Sequence, residues 1–238
     1  MQDNNIKGRI HSYHTLTAID GPGLRFLLFM QGCRLRCQYC HNPDSWSFDA
    51  GTEYSAAEIM DIILQYAEYV KGGLTVSGGE PLLQQDFLTE LFSLCKDYDI
   101  HTAIDTAGSV MLNADSPILN VTDLFLLDIK HSDPSKYHEL TGGDLQTTLD
   151  NARLFSKLGK RMWIRYVLVP NLTDGIDDMK RLREFIDTLD TVDKVIVQPY
   201  SSLGVSKWDT LGIPYKLRDT QPPAKEKIRE AEDILVKK

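Results

Sequence analysis

Six short apolar runs, at residues 24–30, 74–76, 100–104, 124–127, 162–168 and 194–197, alternate with stretches of helical periodicity, and that alternation leaves the chain few architectures. The first run, Leu24-Arg25-Phe26-Leu27-Leu28-Phe29-Met30, is almost continuously apolar, the pattern of a strand buried on both faces. The helical stretches lie near 55–70, 85–97, 145–158, 177–189 and 223–236. The first opens at Ser55, a good N-cap with Glu58 three residues on. It carries Ile59, Ile62, Ile63, Tyr66 and Val70 on one stripe, and Gly72-Gly73 is expected to stop it. The second has Phe87, Leu88, Leu91, Phe92 and Cys95 on its stripe, which makes Cys95 a core residue. Residues 107–122 are less regular and leave room for a short helix only. Strands that alternate with helices imply right-handed crossovers and a parallel sheet with helices outside.

A complete eightfold barrel of this kind takes roughly 250 residues, so six units in 238 predict an α/β fold that is an open, partial (β/α)6 barrel. A doubly wound open sheet is the alternative, because strand order is not written in the sequence. The barrel is favoured because polar residues recur just past the C-terminal end of each run, and in a barrel those ends converge on one face. They are Cys33, Cys37 and Cys40; Glu80; Asp105 and Thr106; Asp128 and Lys130; Arg165; and Gln198 with Tyr200. The length suits one domain over 1–238, with an N-terminal extension over 1–23, a linker-like piece at 218–223 and a terminal helix within 216–238. A net charge of −8 argues against nucleic acid or an anionic membrane surface as partner. The densest apolar run, 26–30, is far too short to span a membrane.

Three of the four cysteines fall together, in Gly32-Cys33-Arg34-Leu35-Arg36-Cys37-Gln38-Tyr39-Cys40-His41-Asn42, spaced C-x3-C-x2-C. Disulfides suit small secreted chains, and Met1-Gln2-Asp3-Asn4-Asn5 has neither the basic nor the apolar part of a signal peptide, so a cytoplasmic setting is expected. Structural zinc takes four ligands, and His41 is poorly placed as the fourth because it adjoins Cys40. Three thiolates suit a cubane iron–sulfur cluster with one iron open to a substrate. Zinc and inert buried thiols remain the alternatives.

Elsewhere, Ser77-Gly78-Gly79-Glu80-Pro81 ends the second run, either as a backbone that a ligand can approach or as a strand-to-helix turn. Asp128 and Lys130 alternate along a strand end and so share one face, unless they are a surface ion pair. Arg165, an isolated charge in an apolar strand, must reach a carboxylate or the polar face. Asp20, in Asp20-Gly21-Pro22-Gly23, reads as a tight turn.

On these residues the chain resembles the radical S-adenosylmethionine (SAM) enzymes, whose two marks are C-x3-C-x-aromatic-C, here with Tyr39 as the aromatic, and the Gly78-Gly79-Glu80 motif. Asp20 to Phe26, Gln31-Gly32-Cys33, Tyr39-Cys40-His41-Asn42-Pro43, Leu127-Asp128-Ile129-Lys130, Trp163-Ile164-Arg165-Tyr166 and the stretch 204–215 narrow the resemblance to glycyl-radical-enzyme activases, those acting on pyruvate formate-lyase, over about residues 8–223. The cysteine-rich insert of larger activases is absent between the two motifs. The resemblance implies a [4Fe–4S] cluster on Cys33, Cys37 and Cys40 whose open iron chelates SAM; one electron breaks the C5′–S bond, and the 5′-deoxyadenosyl radical takes a hydrogen from a backbone glycine of the target.

It further implies SAM contacts from Tyr39, Cys40, His41, Gly78, Gly79, Glu80, Asp128, Ile129, Lys130 and Arg165, and from Ser201, which stands where members carry a histidine. Asp105, Thr106 and Asp128 are implied as oxygen ligands of a monovalent cation, and Asp20 as the residue that meets the glycine-bearing peptide. The implied partners are pyruvate formate-lyase as protein substrate and reduced flavodoxin or ferredoxin as electron donor, with the enzyme a monomer. The rivals are an activase of another short glycyl-radical enzyme, a radical SAM enzyme acting on a small molecule, and a non-enzymatic zinc or electron-transfer module.

Overall fold

A computed structural model describes residues 6–236. Met1 to Asn5 and the last two positions of the expected terminal piece lie outside the described residues. The chain opens with β1 (Lys7–Thr17), β2 (Arg25–Met30) and β3 (Thr52–Ser55), followed by α1 (Ala56–Gln65), β4 (Gly73–Gly78), α2 (Gln85–Asp97) and β5 (Thr102–Thr106). It continues with α3 (Ile118–Val121), β6 (Leu124–Asp128), α4 (Pro134–Thr141), α5 (Leu145–Lys157) and β7 (Arg161–Leu168). Then come α6 (Ile176–Ile186), β8 (Val192–Pro199), α7 (Val205–Thr210) and α8 (Lys225–Leu235).

All eight strands form one sheet in the order β3-β1-β2-β4-β5-β6-β7-β8. From β2 to β8 each neighbouring pair is parallel, and spatial order follows chain order without reversal. A doubly wound sheet has a switch point where the order reverses, so the monotonic order selects the open, partial barrel. The expected N-terminal extension is not a mere extension. Its β1, together with β3, adds an antiparallel margin to the β2 edge, and such a margin covers backbone groups that an open barrel would otherwise leave unpaired.

The period of two along each strand sorts side chains onto two faces. Phe26, Leu28, Leu74, Val76, Ile104, Phe125, Leu127, Ile164 and Tyr166 face the helices in one large core. On the inner face Ala103, Leu124 and Leu126 pack with Trp163 and are buried against one another, as in a sheet curled on itself. The same parity carries Asp105, Asp128 and Arg165 to the inner face, one step nearer the C-terminal ends, with Asp128 in register with Arg165.

Helix α1 begins as expected, with a capping box in which Ser55 accepts from the Glu58 backbone and the Glu58 side chain accepts from Ser55 N. It ends sooner than expected, at Gln65, so Val70 enters the core from the following turn. Helix α4 is an addition. Asp133 caps it by accepting from Ser135 N and Lys136 N, and Pro134 occupies its first turn, where a missing N–H costs nothing. Among the described residues no helix is long and apolar enough to cross a membrane.

Candidate active site

The cysteine loop leaves the C-terminal end of β2 and is tied down on every side by backbone hydrogen bonds. Gly32 N donates to Ser45 O at 2.8 Å, Cys33 N to Trp46 O at 3.2 Å, Arg36 N to Thr141 O at 2.7 Å and Gln38 N to Leu140 O at 3.0 Å. The Gly78-Gly79-Glu80 turn splints it from beneath, with Gly79 N on Met30 O and Glu80 N on Gly32 O, both at 2.9 Å. This close approach explains both glycines. Gly78 has φ +116°, and a Cβ on Gly79 would stand 2.2 Å from the Gly32 carbonyl.

Cys33, Cys37 and Cys40 line one cavity of about 550 Å3, within the usual range for small-ligand sites. Burial pushes the Cys33 and Cys37 thiols up to about 12 and raises Cys40 as well, so the apo chain holds them as neutral thiols at neutral pH. Only a bound metal centre converts such thiols to thiolates. Cys95, fully buried on α2, belongs to the core as its periodicity predicts.

Opposite the cysteines stands a polar ring. Arg165 Nη1 lies 3.0 Å from Asp105 Oδ2 and 3.8 Å from Asp20 Oδ1. Its Nε lies 3.8 Å from Asp128 Oδ1, beyond hydrogen-bond length, and both of these buried atoms are without a hydrogen-bond partner. Burial opposes charge on Arg165, but Asp105, Asp128 and Asp20 outweigh it and hold the guanidinium protonated. Asp105 is raised by its burial, with Arg165 opposing and Asp128 assisting the shift. Ser77 Oγ also donates to Asp105 Oδ2, at 2.7 Å.

Lys130 Nζ meets Asp128 Oδ2 at 3.2 Å, as the alternation predicts, and lies 5.7 Å over the Tyr39 ring. Burial pulls the Lys130 ammonium down, yet Asp128 and its other neighbours keep it well above its ordinary value. Asp20 accepts from Thr17 Oγ1 at 2.6 Å, and its carbonyl accepts from Thr75 Oγ1 at 2.5 Å. His41 Nε2 donates to the Ser201 carbonyl at 3.0 Å, which brings those two expected residues together.

Three of the expected residues turn their side chains elsewhere. Glu80 does not line the cavity. It is buried beneath the Gly-Gly turn, where it accepts from Thr106 Oγ1, Leu82 N, Ala107 N and Ser109 Oγ. Burial raises its carboxyl in spite of those bonds. The Ile129 side chain is fully buried in the large core. Thr106 has outward parity on β5, so its hydroxyl turns to Glu80 at 2.6 Å, away from the inward-facing carboxylates of Asp105 and Asp128.

The chain's aromatic residues supply a wall that periodicity could not reveal. Trp46, Tyr200, Trp208 and Tyr215 pack with Cys33, Cys37 and Tyr39 in a second buried cluster. Trp208 Nε1 donates to Cys40 O at 2.9 Å, and Lys207 Nζ reaches Asn42 Oδ1 at 2.8 Å. The sequence reading reaches Tyr200 as a strand-end residue and the 204–215 stretch that holds Trp208 and Tyr215, but it carries no signal for Trp46.

Among the described residues no three His, Cys, Asp or Glu side chains converge as a single metal ion requires. A cubane takes its thiolates at separate corners, and three cysteines spread over one cavity wall fit it. The unpartnered Asp128 and Arg165 atoms fit a ligand that carries both hydrogen-bond donors and a carboxylate.

A sequence profile of the Radical SAM superfamily matches residues 27–186. Fold and site thus define a radical SAM enzyme, whose cofactors are a [4Fe–4S] cluster and SAM. The pyruvate formate-lyase-activating enzyme of Listeria monocytogenes serovar 1/2a is 45% identical over 239 residues, which is 97% of this chain and 96% of its own. That of Staphylococcus epidermidis is 46% identical over 238 residues, 95% and 94% of the two chains. Within the superfamily, the chain belongs to the pyruvate formate-lyase-activating enzymes. Streptococcus suis SuiB bound to S-adenosylmethionine shares the fold, with a TM-score of 0.66 at 18% identity over 85% of this chain and 44% of that one.

Proposed function

We propose that this enzyme activates pyruvate formate-lyase by abstracting a pro-chiral hydrogen from one of its backbone glycines. The observation that carries the reading is the single cavity on which the three cysteines and the Asp20, Asp105, Asp128, Lys130 and Arg165 ring converge, in a chain so close to enzymes of that name. Cys33, Cys37 and Cys40 are the cluster ligands. When bound, the cluster supplies the electron that cleaves SAM to a 5′-deoxyadenosyl radical.

The chain's own residues bind and orient. Gly78 and Gly79 offer backbone without side-chain obstruction to the SAM amino end. Lys130 and Arg165 are cations suited to its carboxylate, Asp128 accepts from ribose hydroxyls, and Tyr39, His41 and Ser201 form the adjoining wall. Glu80 and Ile129 act on SAM only through the backbone they anchor. Asp105, Thr106 and Asp128, all on the cavity wall, are the oxygen ligands of a monovalent cation. Asp20 meets the target peptide at the cavity rim, where Ile19 and Leu203 are 80% and 85% exposed, a surface suited to a protein partner. The buried aromatic wall excludes water from the radical.

The chain acts as one radical SAM domain over 1–238, monomeric and cytoplasmic, with reduced flavodoxin or ferredoxin as donor; its single continuous sheet supports the first of these. The test is anaerobic incubation with pyruvate formate-lyase, SAM and reductant, followed by electron paramagnetic resonance. A glycyl-radical doublet is expected. A doublet obtained only with another glycyl-radical protein reassigns the target, and SAM cleavage with no protein radical favours a small-molecule substrate. Asp20→Asn is expected to lower glycine activation at least tenfold while SAM cleavage persists.

A further inference from the structure

Beneath the polar ring, a second set of buried polar groups fixes the turn that carries Asp20. Arg25, at the start of β2, is fully buried, and so is Thr75 on the neighbouring β4. The Arg25 Nε donates to Thr75 Oγ1 at 2.6 Å. Its Nη1 donates to Pro22 O at 3.2 Å and to Gly72 O, and its Nη2 to Leu74 O and, at 3.2 Å, to His101 Nδ1. Burial pulls the guanidinium down to about 10, so it is still charged at neutral pH. The Thr75 hydroxyl accepts from Arg25 and donates in turn to the Asp20 carbonyl at 2.5 Å. A hydroxyl that accepts from a charged donor is itself the stronger donor. The turn is shaped to this contact: Gly21 has φ +126°, and a Cβ there would stand 2.9 Å from Arg25 Cδ and Nε. With Ile19, Pro22, Gly23 and Leu24 exposed, little packing holds the turn, and these polar bonds set its path. Asp20 and Ile19 line the cavity, whereas Arg25 and Thr75 do not. Asp20 Oδ2 accepts from Thr17 Oγ1, and Oδ1 lies 3.8 Å from Arg165 Nη1, beyond hydrogen-bond length and open to a peptide N–H.

We propose that Thr75, held by Arg25, is a positioning residue for capture of the protein substrate: its hydroxyl pins the Asp20 carbonyl and so aims the Asp20 carboxylate at a backbone N–H of the glycine-bearing peptide. The inference rests on the reading of Asp20 as the residue that meets that peptide. No bond forms or breaks at Thr75. Its hydroxyl bonds to neither the cysteines nor Lys130 nor Arg165, so the groups assigned to the cluster and to SAM keep their own contacts when it is lost. What is lost is the fixed path of the turn, and a carboxylate displaced from its peptide partner costs binding and alignment. The defect therefore belongs to capture of the protein substrate and not to cleavage of SAM.

The experiment follows glycyl-radical formation by electron paramagnetic resonance as a function of pyruvate formate-lyase concentration. Beside it, SAM cleavage by the dithionite-reduced enzyme is measured without the protein substrate. Thr75→Val keeps the branched shape and loses the hydroxyl, whereas Thr75→Ser keeps the hydroxyl. Thr75→Val is expected to raise KM for pyruvate formate-lyase about tenfold with SAM cleavage unchanged, and Thr75→Ser to return KM to the wild-type value. Arg25→Lys keeps a charge but lacks the Nε that reaches Thr75, and is expected to raise KM in the same direction; it carries the test if Thr75→Val fails to hold a full cluster. An unchanged KM in either variant at full iron and sulfide content overturns the inference. So does a Thr75→Ser as impaired as Thr75→Val, or a parallel loss of SAM cleavage. Asp20→Asn in the same assay separates the inference from its basis. If it leaves glycine activation unchanged, the reading of Asp20 falls and the inference with it; if it impairs activation while Thr75→Val does not, the inference alone falls.

Discussion

Single residues here are constrained by how closely two backbone segments meet. The β2 exit and the Gly78-Gly79 turn touch so tightly that a Gly79→Ala side chain would collide with the Gly32 carbonyl, and displacing that backbone is expected to cost roughly 1–3 kcal/mol. The cysteines divide cleanly. Single replacement of Cys33, Cys37 or Cys40 by Ser is expected to reduce bound iron after anaerobic reconstitution to a small fraction of wild type. Cys95→Ser is expected to leave iron and sulfide content unchanged while costing roughly 1–3 kcal/mol for its buried hydroxyl. Spacing and periodicity made this division legible in the sequence. Glu80 was not legible in the same way, because its direction depends on how the turn after β4 folds back under the cysteine loop. Trp46 was hidden for a related reason, since a residue in an irregular loop has no period to betray its burial.

At the level of elements, local rules predicted what local forces decide. Helix α2 spans the expected residues 85–97, and the α1 capping box forms as Ser55 and Glu58 suggest. Ser55→Ala is expected to cost about 1 kcal/mol, seen as a fall of roughly 2–4 °C in melting temperature, with no change in SAM cleavage because α1 lies outside the cavity. Strand β1 escaped detection because its side chains alternate poorly and its pairing with β2 is interrupted by register shifts. Helix α4 carried a readable Asp-Pro start, but with only eight residues it offers little periodicity. The strand order that selects a partial barrel is a long-range property, and no local signal encodes it.

Taken whole, the molecule places its oddest charges at two ends of one curled sheet. The polar ring gathers at the C-terminal strand ends, and the fully buried Arg25 braces the interior below, donating to Thr75 Oγ1 at 2.6 Å. Burial also depresses two histidines, His101, where Arg25 adds to the effect, and His131. The unfolded chain therefore takes up protons on these groups first, from about pH 6.5 downward, while the folded chain resists them. Stability of the apo chain is expected to be level just above pH 6.5 and to decline as pH falls toward 5, and His131→Gln should lessen that slope in melting curves. The central claim concerns one hydrogen atom. It is tested by incubating the reduced enzyme with SAM and pyruvate formate-lyase deuterated at the glycine α-carbon, then analysing the released 5′-deoxyadenosine by mass spectrometry. Transfer of deuterium into the 5′-deoxyadenosine is the predicted result; 5′-deoxyadenosine formed without deuterium contradicts the account.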